Sequence, residues 1–196
     1  MSRAYPHGRL LMCWGGLLLL VLAGGCRQTT PPTTPPAPGQ EEGTPPPVAK
    51  VAPGVGDPAP DFSVTDIDGN PHSLKAYRDQ VLVVDFWATY CKPCVKKLRE
   101  YESVKQAMKG KDVAFLALSS DSDDAVIKGW REENGVTIPL ARLDEKTRTA
   151  FFGEVQYVAI PQMRIIDRKG IIRYSFDASS TTPEVEEAIK TLLAEK

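Results

Sequence analysis

Val81-Leu82-Val83-Val84-Asp85-Phe86-Trp87-Ala88-Thr89-Tyr90-Cys91-Lys92-Pro93-Cys94 holds the key to the fold. Its first four residues form a continuous, β-branched-rich apolar run, as expected of a strand buried on both faces. From Cys94 to about Met108 the apolar residues Val95, Leu98, Tyr101, Val104 and Met108 follow helical spacing. The two cysteines therefore stand where a buried strand gives way to a helix. With two residues between them, both sulfurs lie within disulfide reach in the first helical turn. Cys91 falls at the helix N-terminus, where the dipole and free backbone N–H groups favour a thiolate. Lys92 adds positive charge beside it. Cys94 sits one turn in, more shielded, and suits the resolution of a mixed disulfide. Pro93 fits the first turn because it lacks the N–H that would otherwise go unpaired.

Two bland alternatives compete with redox chemistry. Structural zinc needs about four ligands, and past this pair the exported part of the chain offers only His72, with Cys26, as a further Cys or His. His72 itself reads as a loop surface residue. A purely structural disulfide would do little here, because a Cys-x-x-Cys loop closes too few residues to restrict the unfolded chain much. The strand-to-helix setting favours a redox pair.

The flanking sequence completes an α/β order. Phe62 to Thr65 predicts a short strand, Asp66 to Pro71 a turn, and Leu74 to Arg78 one helical turn. Val113 to Leu118 is a second buried strand. Asp124 to Asn134 reads as a helix capped by Asp121 or Ser122 and stopped by Gly135. Lys146 to Phe152 predicts a short helix. Met163–Ile166 and Ile171–Phe176 flank Asp167-Arg168-Lys169-Gly170 as a hairpin. Thr182-Pro183 opens a last helix, whose Glu184, Glu186 and Glu187 suit its positive end. Parallel and antiparallel pairings are both expected.

Upstream the character changes. Eleven of the 17 prolines fall between Arg27 and Pro60. Pro31-Pro32, Pro35-Pro36 and Pro45-Pro46-Pro47 favour extended geometry. With almost no large apolar side chains there, nothing offsets the entropy of folding. Residues 26–54 thus read as a tether and 1–25 as an export signal. Arg3 and Arg9 precede the uncharged run Leu10 to Ala23, and small residues follow. A bilayer span needs roughly 20 apolar residues; this run is shorter and broken by Gly15-Gly16. Ala23-Gly24-Gly25-Cys26 resembles a bacterial lipobox, with Ala23 where Leu is usual. Cys26 is the expected lipidation site, the alternative being an ordinary signal that leaves a free thiol. Residues 55–196 form the expected domain, long enough for one good core. The whole chain of 196 residues carries a net charge of −1, which gives no support to nucleic-acid binding.

The domain resembles the thioredoxin-fold, membrane-tethered thiol–disulfide oxidoreductases of the TlpA/ResA-like group. The resemblance rests on Gly56-Asp57-Pro58-Ala59-Pro60-Asp61-Phe62, the Phe86 to Cys94 motif, Ile160-Pro161, and Ile165-Ile166-Asp167 with Gly170. It implies a thioredoxin-like fold, a central mixed sheet flanked by helices with an N-terminal β extension. It implies catalysis by Cys91 and Cys94 with no cofactor or metal beyond their disulfide. Pro161 matches a cis-proline facing the redox loop, and substrate backbone would be held by Ile160 and Pro161. Trp87, Tyr90, Lys92 and Pro93 complete the implied contact surface. Asp85 matches a buried acid beneath the disulfide; desolvation should raise its pKa, letting it exchange a proton with Cys94. Implied partners are disulfide-containing exported proteins, a membrane-embedded thiol reductant, and the membrane itself through an N-terminal lipid. Cytochrome c maturation is one implied setting, in the periplasm or otherwise outside the cytoplasmic membrane of a bacterial envelope.

This chain departs from the pattern at three positions. Tyr90 replaces a common Trp, Lys97 stands where some relatives carry Glu, and Arg99 occupies the place of a helix-kinking proline, which predicts a straighter helix. A thiol peroxidase is the main alternative, since the entry segment also resembles peroxiredoxins. Those proteins want Thr or Ser three residues before the reactive cysteine, where Ala88 stands here. A copper-binding module on this fold would need a later His, and none follows His72.

Overall fold

The structure, a computed structural model, describes residues 52–195. The signal, Cys26 and nearly all of the tether lie outside the described residues.

Strand β1 (Ser63–Thr65) pairs antiparallel with β2 (Pro71–Ser73) in a small N-terminal hairpin. A 3-10 turn, Leu74–Tyr77, leads to β3 (Val81–Trp87), buried along its whole length. Then come α1 (Lys92–Ala107), β4 (Val113–Ser119), α2 (Asp124–Asn134), β5 (Leu140–Arg142) and α3 (Glu145–Phe152). β6 (Gln162–Ile166), β7 (Ile172–Phe176) and α4 (Thr182–Ala194) complete the domain. The main sheet runs β5-β4-β3-β6-β7. β3, β4 and β5 are parallel, and β6 and β7 are antiparallel additions. This is the expected thioredoxin-like mixed sheet with its N-terminal β extension.

Alternation along β3 divides the interior into two cores. Val81, Val83 and Trp87 face Leu98, Tyr101 and Val104 of α1, Ile127 of α2, and Val185 and Ile189 of α4. Leu82, Val84 and Phe86 face Phe62 and Val64 of the hairpin and Phe151 of α3. A fully buried side chain such as Leu98 stabilises by about 2 kcal/mol through burial alone. Because β3 is buried on both faces, its C-terminal end is held rigidly, and that end carries the cysteine loop.

Helix ends follow their local chemistry. α1 runs unbroken through Arg99, as the lack of a proline at that position predicts. α2 is capped by Asp123, whose carboxylate accepts from the Ala125 N–H at 2.8 Å, not by Asp121 or Ser122. Gly135 ends α2 in the left-handed region at φ 63°, the expected stop. α3 begins at Glu145, one residue early, because the Asp144 carboxylate caps the Thr147 N–H at 2.6 Å.

Two short strands escape the periodicity. Pro71 opens β2 rather than closing a turn; a first strand position tolerates a missing N–H. β5 has three residues, too few for alternation to register, and its place is set by pairing with Ala117–Ser119. His72 is also not a free surface residue. It lies in β2 with its ring between Tyr77 and Asp66, its Nε2 3.0 Å from the Asp66 carboxylate.

Candidate active site

The site is built at the C-terminal end of β3. After Trp87 the chain turns through Ala88, Thr89 and Tyr90, and the Cys91 N–H donates to the Ala88 carbonyl at 3.1 Å. Cys91 is the N-cap of α1, and its sulfur accepts from the Cys94 N–H at 3.3 Å. That contact is the one a Cys91 thiolate would use, since the helix N-terminus supplies unpaired N–H groups. Cys91 and Cys94 form a disulfide with Cα atoms 5.2 Å apart. Cys91 is partly exposed and Cys94 fully buried, so the first sulfur is the accessible one. Lys92 and Pro93 are exposed in the first turn, and Tyr90 is 71% exposed beside them.

Across from the disulfide, the Ile160–Pro161 peptide bond is cis. The Ile160 carbonyl oxygen lies 4.0 Å from the Cys91 sulfur. Pro161 is buried, and together with Ile160, Gln162, Ser175 and Phe176 it lines an open groove of ≈ 470 Å³. Sequence positions 69 residues apart are thus brought together by the antiparallel pairing of β3 with β6.

Asp85 lies on β3 opposite Ala117 and Met163, on the sheet face that packs against α1. It is buried, and neither carboxylate oxygen has a hydrogen-bond partner among the described residues. Burial pushes its pKa up to about 8; the Lys97 ammonium opposes that rise. The raised pKa is in the direction expected from the sequence. Lys97 itself donates to the Ser180 carbonyl, two residues before α4 begins. The Lys97 cation favours the ionised form of Asp85.

One expected contact residue is misplaced. Trp87 is fully buried and packs against Trp130 in a tilted arrangement, with ring centroids 4.6 Å apart. It has no surface to offer a substrate. The two-sided burial of β3 extends to its last residue, so Trp87 is core, and its indole N–H has no acceptor among the described residues. Tyr90, three residues on, is the exposed aromatic of the loop.

Asp121 is the residue the sequence reading undervalued. Its buried carboxylate accepts from the Thr89 N–H at 2.9 Å and the Thr89 hydroxyl at 2.8 Å. The Ser119 hydroxyl adds a third contact at 2.5 Å. Asp121 thereby pins the turn that presents Cys91. Its signal was a polar Ser119-Ser120-Asp121 run at the end of a buried strand, which looks like a helix-cap region until the strand order is known. Among the described residues no group of three or more His, Cys, Asp or Glu side chains is placed to hold a metal ion.

A thioredoxin-like sheet, a Cys-x-x-Cys pair capping α1 and a cis-proline opposite define a thiol–disulfide oxidoreductase. The profile of the AhpC/TSA family matches residues 55–175, and the chain belongs to that family. It is 27% identical over 145 residues to the thiol-disulfide oxidoreductase ResA of Geobacillus kaustophilus, covering 73% of this chain and 80% of that one. It is also 27% identical over 136 residues to the thioredoxin-like protein YneN of Bacillus subtilis, covering 68% of this chain and 78% of that one. Among solved structures, a thiol:disulfide interchange protein of Chlorobium tepidum superposes with a TM-score of 0.64 at 22% identity, over 73% of this chain and all of the other. The exposed lipoprotein thioredoxin of Streptococcus pneumoniae superposes at 0.58 and 19% identity, over 67% of this chain and 99% of that one. These two likenesses concern the fold.

Proposed function

We propose that this chain is an extracytoplasmic reductase of disulfides in exported proteins, working through the Cys91–Cys94 dithiol. The observation that carries the reading is the asymmetry of the pair. One sulfur is accessible at a helix N-terminus, and its partner is buried one turn behind it. The Cys91 thiolate attacks one sulfur of a substrate disulfide. The substrate S–S bond breaks, and its other sulfur leaves with the electron pair and takes a proton. Cys94, deprotonated, then attacks the Cys91 sulfur of the mixed disulfide. The second substrate thiol departs, and the Cys91–Cys94 disulfide forms. Asp85 accepts the Cys94 proton in this step, a role supported by its burial, its lack of other partners and its raised pKa. Ile160, Pro161, Tyr90, Lys92 and Pro93 form the surface against which substrate backbone rests.

The oxidised pair is returned to the dithiol by two electrons from a membrane-embedded thiol reductant. Residues 1–25 direct export, Cys26 carries the lipid, and residues 26–54 hold the domain off the membrane. This placement rests on the uncharged run Leu10 to Ala23, the lipobox-like Ala23-Gly24-Gly25-Cys26 and the proline-rich stretch after it, and cytochrome c maturation is the setting we favour. Reduction of insulin by the full chain with a dithiol donor tests the activity. Equilibration against glutathione tests its direction: a potential near −270 mV marks a reductant, and one near −120 mV would make the protein an oxidant instead. Mass spectrometry of the membrane fraction from Cys26→Ser and parent cells tests the anchor.

A further inference from the structure

Arg164 is buried in β6 without a carboxylate partner among the described residues. It projects from the sheet opposite Val84 and Ser175. An arginine keeps its charge even where burial disfavours it, so this guanidinium must be satisfied by neutral groups. One nitrogen donates to the Met163 carbonyl at 3.1 Å, and another to the Gln162 side-chain oxygen at 2.9 Å. The guanidinium carbon lies 5.6 Å from the centre of the Phe152 ring, a cation–π distance. Gln162 in turn donates its amide N–H to the Ala159 carbonyl at 2.7 Å.

These contacts share a geometry. Phe152 is the last residue of α3, and Gln162 is the first of β6. Between them runs the irregular segment 153–161, which carries the exposed Val155 and Tyr157 and ends in Ile160-Pro161, with the Ile160 carbonyl beside the Cys91 sulfur. Arg164 therefore touches both ends of this loop, one through the Phe152 ring and one through Gln162 to Ala159. A core apolar residue would fill the same space without reaching either end by a directed bond.

We infer that Arg164 is a positioning residue that clasps the loop 153–161 and so fixes the Ile160 carbonyl against the redox pair. It acts on recognition of large disulfide substrates, which must lie along that loop, and leaves the reactivity of Cys91 itself alone. This consequence for substrate rests on the reductase reading; the clasp does not.

The test uses the full chain with Arg164→Met. Under native conditions, chymotrypsin should cut after Tyr157 about tenfold faster, while cutting after Tyr90, which is also exposed but lies outside that loop, is unchanged, because only the clasped loop gains open states. The KM for insulin should rise about fivefold with kcat retained, the mark of lost binding rather than lost chemistry. Arg164→Lys, which keeps the charge but loses the fork, should shift the same ratio in the same direction and decides the matter if the Met variant does not fold. An unchanged rate at Tyr157, or equal acceleration at both tyrosines, would overturn the clasp. If the parent protein reduces no protein disulfide, the reductase reading fails, and the Tyr157-to-Tyr90 ratio still decides the role of Arg164.

Discussion

Asp66, in the hairpin region, and Asp85, beneath the disulfide, are both buried carboxylates, yet they titrate in opposite directions. Burial pushes both upward. At Asp66 that effect is outweighed by His72 and by Asn70 and Asp68, whose groups donate to the carboxylate at 2.8 to 3.0 Å, and its pKa falls to about 2. At Asp85 nothing donates, and the pKa rises to about 8. The hairpin acid is committed to structure; the site acid is left with a proton to give or take near neutral pH. Burial alone therefore does not mark a functional acid, whereas burial without donors does.

Four experiments would break or sharpen that contrast. The largest effect belongs to the site. Cys91→Ser should lower disulfide exchange by at least about 10³-fold while leaving the thermal transition of the hairpin core in place; full activity in this variant would end the proposed mechanism.

Asp85→Asn comes next. The folded pKa lies above the ordinary 3.8, so the wild-type proton stabilises the fold fully below about pH 4, and this is lost as pH rises through about 8. The amide cannot ionise. The variant should be more stable by on the order of 3 kcal/mol at pH 7 and no more stable at pH 3. Urea melts at the two pH values give the comparison. Exchange should slow by about tenfold near neutral pH, with the alkaline limb of the rate profile altered.

Asp66→Asn should do the reverse. Its depressed pKa gives stability that is present above 3.8 and lost as pH falls through about 2. The substitution should cost about 1–2 kcal/mol at pH 7 and close to nothing at pH 2, with exchange chemistry unaffected. If both aspartate variants shift stability in the same direction, the contrast is wrong.

The smallest effect is expected at Asp121, a third buried acid, whose hydrogen bonds hold the loop before Cys91. Asp121→Asn should slow exchange about threefold by loosening the Thr89 turn, as read by insulin reduction.

The cysteine pair, the strand before it and the helix after it were legible because local chemistry specifies them. A β-branched run, helical spacing and a Cys-x-x-Cys at their junction need no distant information. Pro161 was legible only through a family resemblance, since a lone proline before a strand says nothing of its isomer. The cap of α2, the edge strand β5 and the setting of His72 were misread or missed. Each depends on which element lies alongside, and short segments carry too little periodicity to say. Motif membership makes Trp87 a contact residue, but burial on both faces of β3 overrides motif membership.

Composition, motif spacing and apolar period thus determined the class of fold, the identity of the reactive pair and the order of elements. Tertiary structure alone decided which buried acid goes without donors, which carbonyl meets the Cys91 sulfur, and why a guanidinium is buried in β6. The physical reason is that the groups a side chain meets are drawn from anywhere in the chain. Ile160 reaches Cys91 across 69 positions, and Asp121 reaches Thr89 across 32. Only the sheet order β5-β4-β3-β6-β7 brings those groups together.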